Sequence, residues 1–149
     1  MRPIKFTEKI IIEKEPRVVF DCTQDYKNRL TWDTFLKKAD LKNGALEADK
    51  GVKAYCVARN GLGMETEYIT FNKPKATAIK MTKGPFLFKS FLGSWLFKEV
   101  KKGETEVTFL YSFELRFPFN LVDFLVKRNL QKNVRKRLTD LKSCVEVTR

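Results

Sequence analysis

The chain has 149 residues, 30 of them Lys or Arg against 18 acids, a formal charge of +12, and a 43% hydrophobic share that includes 13 Phe. That length suits one domain over residues 1–149 with a self-sufficient core, and no run approaches the ~18 apolar residues that predict a bilayer-spanning helix. The lack of any histidine excludes Ser-His-Asp and Cys-His nucleophile pairs, histidine zinc sites and an imidazole base, which leaves carboxylates, Tyr, Lys, Arg and Cys for any chemistry.

The chain opens with charges on both sides of a short apolar cluster and no small-residue cleavage site, which reads as a strand and not a signal peptide. Ile4, Phe6, Ile10 and Ile12 share one face of this strand, predicted over about 4–13. A cytoplasmic protein is therefore expected. Pro16 suits the first turn of a short helix, where its missing N–H costs nothing, and Val18, Val19 and Cys22 can turn inward from it. A second short helix, beginning near Asp25, carries Tyr26 and Leu30 and ends near Trp32.

After Trp32 the chain reads as a meander. Lys42-Asn43-Gly44, Asn60-Gly61, Asn72-Lys73-Pro74, Lys83-Gly84-Pro85 and Lys102-Gly103 supply turn chemistry, with strands predicted near 35–42, 51–59, 64–71, 76–83, 89–100 and 105–117. Short connections favour antiparallel neighbours. In the last strand Val107, Phe109, Tyr111, Phe113, Leu115 and Phe117 alternate with Thr108, Leu110, Ser112, Glu114 and Arg116, the period of a strand with one buried face. At Pro118 the period changes, and Val122, Val126, Leu130, Val134, Leu138, Leu141 and Val145 recur at helical spacing. Such a helix, roughly 40 Å long at ~1.5 Å per residue, can bury its stripe only against a broad sheet.

The order of elements is accompanied by specific residues: Ile10-Ile11-Ile12-Glu13, Glu15-Pro16 and Val18-Val19-Phe20; Trp32 after the small helices; Gly51; Asn72-Lys73-Pro74-Lys75; Gly84-Pro85; and Trp95-Leu96-Phe97 leading through Gly103-Glu104-Thr105 into the last strand. In these the chain resembles the Bet v 1-like superfamily, which includes START domains and polyketide cyclase-like proteins. The resemblance implies an α+β helix-grip fold, a seven-stranded curved antiparallel sheet wrapped around a long C-terminal helix with two short helices after the first strand. It also implies a hydrophobic cavity between helix and sheet. Members bind lipids, sterols, polyketides and plant hormones, and some catalyse cyclisation, dehydration or hydrolysis. No catalytic motif of the family is recognisable, so none is carried over.

The expected cavity wall comprises Phe109, Tyr111 and Phe113 under Val122, Val126 and Leu130, with Trp95, Phe97, Ile79 and Met81 from the two preceding strands. Polar candidates are Tyr55, Arg59, Glu65, Glu67, Tyr68 and Tyr111. Tyr68 shares a face with Met64 and Thr66, whereas Glu65 and Glu67 share the other with Ile69 and Phe71. Tyr68 is expected inward, because burying two unpaired carboxylates costs several kcal/mol each. The opposite phase would make Glu65 and Glu67, with Arg59 or Tyr55, an acid-base set.

Cys22, Cys56 and Cys144 are too few, too scattered and odd in number for a disulfide framework or a Cys-x-x-Cys site. Neither a cofactor nor a metal is expected. The basic excess is diffuse, with eight Lys or Arg against three acids over residues 119–149. Lys127, Arg128, Lys132, Arg135 and Lys136 form its densest face. The reading is a binder or carrier of a small apolar molecule, Tyr68 or Tyr111 orienting it. The alternatives are a cyclase or dehydratase using Glu65, Glu67 or Arg59, and weak contact of the basic helix with an anionic membrane, nucleic acid being disfavoured by the lack of any recognition motif.

Overall fold

The computed structural model describes residues 3–147. Strand β1 (Ile4–Ile12) leads into helices α1 (Pro16–Gln24) and α2 (Arg29–Trp32), and six strands follow: β2 (Leu36–Leu41), β3 (Lys53–Ala58), β4 (Gly63–Asn72), β5 (Ala76–Lys83), β6 (Phe88–Lys101) and β7 (Glu104–Leu115). The chain ends in helix α3 (Asp123–Val147). All seven strands form one antiparallel sheet in the order β1-β7-β6-β5-β4-β3-β2. This is the α+β helix-grip architecture that the resemblance implies.

The alternation in β7 is what builds the core. Val107, Phe109, Tyr111, Phe113 and Leu115 are all buried, as are Phe91, Trp95 and Phe97 of the neighbouring β6. Over them lies α3, whose 25 residues extend about 38 Å. Its C-terminal half packs tightly, with Val134, Leu138, Leu141 and Val145 buried among β1, α1 and the sheet. Its N-terminal half does not: Val126 and Leu130 are only half-buried. In α1 the helical period turns Val19, Phe20 and Thr23 inward and leaves Val18 exposed, and in α2 Leu30 points outward while Arg29 and Trp32 are buried. Cys22 and Cys144 come together between α1 and α3, and burial, then the neighbouring thiol, pushes the Cys22 thiol up to about 12. None of the three cysteines is in a disulfide.

Three boundaries differ from expectation, the first being that α2 begins at Arg29 rather than near Asp25, which leaves Tyr26 in the turn before it. The last strand stops at Leu115, which still pairs with Phe88, and a single 3-10 turn over Phe119–Val122 precedes the helix. Pro118 brings no N–H to a ladder or a helix, so Phe117, expected on the buried face, is exposed. In β3 pairing with β4 begins at Lys53 rather than Gly51, because Gly51 takes φ 84°, a left-handed conformation suited to glycine. Its N–H is donated to the Tyr68 carbonyl at 2.8 Å.

The sheet also forks. Register shifts interrupt β4 between Glu65 and Thr66 and again between Tyr68 and Thr70, bending the strand as bulges do. β5 and β6 pair only from Ala76↔Leu96 to Lys80↔Leu92. Beyond that the two strands diverge into the loop Gly84-Pro85-Phe86-Leu87, which is held instead against the end of β7 by the Arg116 N–H donated to the Leu87 carbonyl at 2.8 Å.

Candidate functional site

Where α3 passes over the forked end of the sheet, a cavity of about 410 Å³ remains. Its walls are mostly apolar. Trp95 and Phe109 meet edge to face at 4.5 Å, Phe109 and Tyr111 at 4.7 Å, and Phe91 lies 4.6 Å from Tyr111. Gly93 leaves room at the back, since a Cβ there would stand 3.1 Å from the Tyr111 ring and 3.3 Å from Ile79. The roof is Leu125, Val126, Asn129, Leu130 and Asn133 of α3, and the loops at Leu62 and at Pro85 and Leu87 frame the mouth.

Of the residues expected at the wall, Tyr68, Ile79, Trp95, Phe109, Tyr111, Val126 and Leu130 line the cavity. Four others lie elsewhere. Phe97 is packed against Phe20 of α1 at 5.3 Å, and Phe113 is fully buried beneath Phe88 and Phe91. Val122 falls in the 3-10 turn, half open to solvent, and Met81 lies past the last β5–β6 pair, against Gly84 and Met64.

The phase of β4 puts Met64, Thr66 and Tyr68 on the cavity and Glu65 and Glu67 on the outer face. Glu65 is covered there by Lys42 and Thr82; the Lys42 ammonium at 2.6 Å and the Thr82 hydroxyl at 2.6 Å hold its carboxyl down at about 2. Tyr55 is exposed beneath Lys38, and Arg59 reaches along the surface to the Thr34 carbonyl. None of these four lines the cavity, so the acid-base set expected of the opposite phase does not form.

The polar groups that do reach the cavity include several that the sequence reading passed over. Arg137 and Arg29 both line it, both are buried, and both contact Asp33. Arg137 donates from Nε (3.2 Å) and Nη2 (3.0 Å) to Asp33 Oδ2 and from Nη1 to the Tyr111 hydroxyl at 2.8 Å. Arg29 donates from Nε to the same Oδ2 at 2.8 Å and from Nη1 to the Thr23 carbonyl at 2.8 Å. Burial pushes the Asp33 carboxyl up, but Arg137 and then Arg29 outweigh it and hold the group at about 2. Burial likewise works against both guanidinium charges, and Asp33 more than restores them, so both pKa values are raised. Arg137 also stacks over Phe35 at 5.0 Å and Phe109 at 5.4 Å.

A second chain of hydrogen bonds closes the other side. Tyr68 donates to Gln24 Oε1 at 2.6 Å, so the 2.8 Å contact between the Tyr26 and Tyr68 hydroxyls must be donated by Tyr26. Gln24 passes the direction on to Thr23, and Thr23 to the Phe20 carbonyl. Burial raises the pKa of both tyrosines and of Cys56 in the same wall, which keeps all three neutral.

A family model described as polyketide cyclase / dehydrase and lipid transport matches residues 3–146. No curated protein matches the sequence. Among solved structures, a START superfamily protein from Mycobacterium smegmatis superposes with a TM-score of 0.81 at 10% identity, covering 95% of this chain and 97% of that one. The Zhui aromatase/cyclase from Streptomyces sp. R1128 gives a TM-score of 0.81 at 11% identity, covering 97% and 94%. Major latex-like protein 151 from Panax ginseng gives 0.71 at 15% identity, covering 96% and 97%. At such identities the likeness is one of fold.

Proposed function

We propose, from the premise that the chain belongs to the polyketide cyclase / dehydrase and lipid transport family, that it acts as a single cytoplasmic domain which binds and carries a small, largely apolar molecule. The observation that carries this reading is the cavity of about 410 Å³ with aromatic walls, inside the ~300–1,000 Å³ range of ligand pockets. Affinity comes from apolar surface withdrawn from water, at about 25 cal/mol per Å² before the entropic cost of association. Three cysteines, none of them in a disulfide, fit a reducing compartment. Native mass spectrometry of the purified protein and titration with matched apolar probes test the reading. Saturable one-to-one binding is the expected result, and failure of every probe to bind overturns it.

The cyclase reading retains one favourable observation, the Arg137–Tyr111 hydrogen bond at the cavity wall, which would stabilise a developing enolate. Among the described residues it has no carboxylate at the cavity wall to accept a proton. Asp33 is occupied by both arginines, and the carboxylates of Glu65 and Glu67 are on the far side of the sheet. A carrier is therefore the better-supported function.

The mouth supports a place where the ligand is collected. Phe86 (72% exposed), between the lining residues Pro85 and Leu87, and Phe124 (63%), beside the lining Leu125, are exposed together with Leu62, Phe117 (74%) and Leu121. That is a large apolar patch for a surface. Exposed Lys83, Lys89, Arg116 and Arg128 flank it. Along α3, Arg135 is engaged by Glu8 and Lys136 by Asp140, whereas Lys127, Arg128 and Lys132 have no ion-pair partner among the described residues. An apolar tip with basic flanks suits an anionic bilayer, and the mouth then opens toward the phase in which an apolar ligand is dissolved.

A further inference from the structure

We infer that the ligand carries one carboxylate-like anionic group, bound against Arg29 at the inner end of the cavity. The inference rests on the reading of the cavity as a binding site and deepens it by naming the ligand class, a monoanionic amphiphile.

The argument starts from charge. Two guanidinium groups reach the cavity, and the only carboxylate either one touches among the described residues is Asp33. One positive charge is left over in a site walled by aromatic rings. Uncompensated charge away from water is strongly unfavourable, and the stacking of Arg29 over Trp32 at 5.0 Å offsets only part of it. A monoanion entering the cavity completes the neutralisation. A neutral molecule does not.

Hydrogen-bond capacity points the same way. Asp33 is saturated on the side facing the arginines, since Oδ2 accepts from Arg29 Nε and from Arg137 Nε and Nη2, while Oδ1 accepts the Phe35 N–H at 3.1 Å. Arg29 still has donors to spare, because Nη2 has no acceptor among the described residues and Nη1 uses one of its two hydrogens on Thr23. Trp32 Nε1, beneath that guanidinium, is buried with no partner. Tyr111 accepts from Arg137 and retains its own O–H for donation. The cluster is rich in donors and short of acceptors. On the opposite wall the Tyr68 proton is already committed to Gln24, so the polar end of the ligand belongs on the arginine side.

The test compares dodecanoate with dodecanol, each below its critical micelle concentration at pH 7.5, by calorimetry or displacement of a fluorescent probe. Dodecanoate is expected to bind at least about ten-fold more tightly, the scale of one charge-assisted hydrogen bond. In Arg29→Gln the acid should fall to the affinity of the alcohol while the alcohol is unchanged. Should that variant fail to fold by circular dichroism, Arg29→Lys decides: it keeps the charge, loses the planar fork, and should lower the acid preference several-fold. Equal wild-type affinity for the two probes overturns the inference and leaves the cavity reading standing. So does an equal drop for both in Arg29→Gln, or an unchanged preference in Arg29→Lys. Binding of neither probe overturns the cavity reading and the inference with it.

Discussion

Asp33 and Arg137 lie 104 residues apart, yet both Nε and Nη2 of the arginine converge on one carboxylate oxygen, at 3.2 and 3.0 Å. Arg29 shares that oxygen from a turn away along α2. The carboxylate therefore fastens the short helices to α3 at the point where tight packing gives way to the cavity.

Removal of this carboxylate should be severe. Asp33→Ala leaves two buried guanidinium groups without their counter-charge, and truncating one member of a buried ionic set costs about 3–5 kcal/mol. Urea denaturation followed by circular dichroism measures it. A loss below about 1 kcal/mol would mean that solvent reaches the cluster freely.

The same group gives a pH dependence of definite sign. Its folded pKa, about 2, is below the ordinary 3.8, so the unfolded chain binds its proton first as pH falls. The stabilisation, about 2 kcal/mol by linkage, is complete above pH ~5 and should be lost progressively as pH falls toward 2. Asp33→Asn should remove that portion of the acid-side slope. An unchanged slope in the variant would place the acid sensitivity elsewhere.

On the outer face, Glu65 should titrate near 2 by carboxyl NMR and move up when Lys42→Met removes its nearest donor. Glu65→Gln and Glu67→Gln should leave ligand binding within two-fold of the parent, a scale of about 0.4 kcal/mol. A ten-fold loss in either would contradict the phase of β4.

Filling the cavity should separate binding from folding. Thr66 is half-buried on the cavity side of β4, and Thr66→Phe places a ring in space that is already empty. Probe affinity should fall at least about ten-fold, or 1.4 kcal/mol, with the thermal midpoint held or raised. Equal affinity in the variant would locate the bound probe outside this cavity.

At the mouth, Phe86→Ser with Phe124→Ser should abolish cosedimentation with phosphatidylserine-containing vesicles at low salt while probe binding in solution persists. Binding by the parent should weaken as the Debye length shrinks from ~10 Å at 0.1 M salt to ~3 Å at 1 M. Replacing Lys132, Arg135 and Lys136 by Glu should matter less than the double Phe variant, because Glu8 and Asp140 already engage two of those cations. Equal vesicle binding by parent and double Phe variant would remove the mouth from the membrane contact, and preferential binding to oligonucleotides would replace the membrane as partner.

Turn chemistry and the alternation of β7 made the sheet legible, Pro16 the first short helix, and the helical spacing beyond Pro118 the long helix. The inward phase of Tyr68 was legible too, since the other phase buries two carboxylates. The arginine cluster was not, although a sign of it exists: Arg137 lies three residues after Val134 and four before Leu141, on the buried stripe itself. What could not be read is convergence. Asp33 becomes an ion-pair partner only after α2 and α3 meet, and Cys22 finds Cys144 only through the packing of α1 on α3. The exposure of Phe117 escaped for a different reason, since alternation continues in the sequence past the last paired residue, Leu115.

The fork between β5 and β6 makes the sheet two leaves, β2 to β5 and β6 to β1, joined along Ala76–Lys80 and Leu92–Leu96. Beyond that seam each leaf keeps its own ladder, so the leaves can splay as jaws do without breaking an inter-strand hydrogen bond. The bore of the cavity is then set by the angle at the seam as well as by its side chains. Amides of residues 81–83, on a stretch of β5 that pairs with β4 alone, should lose hydrogen-exchange protection before those of the seam.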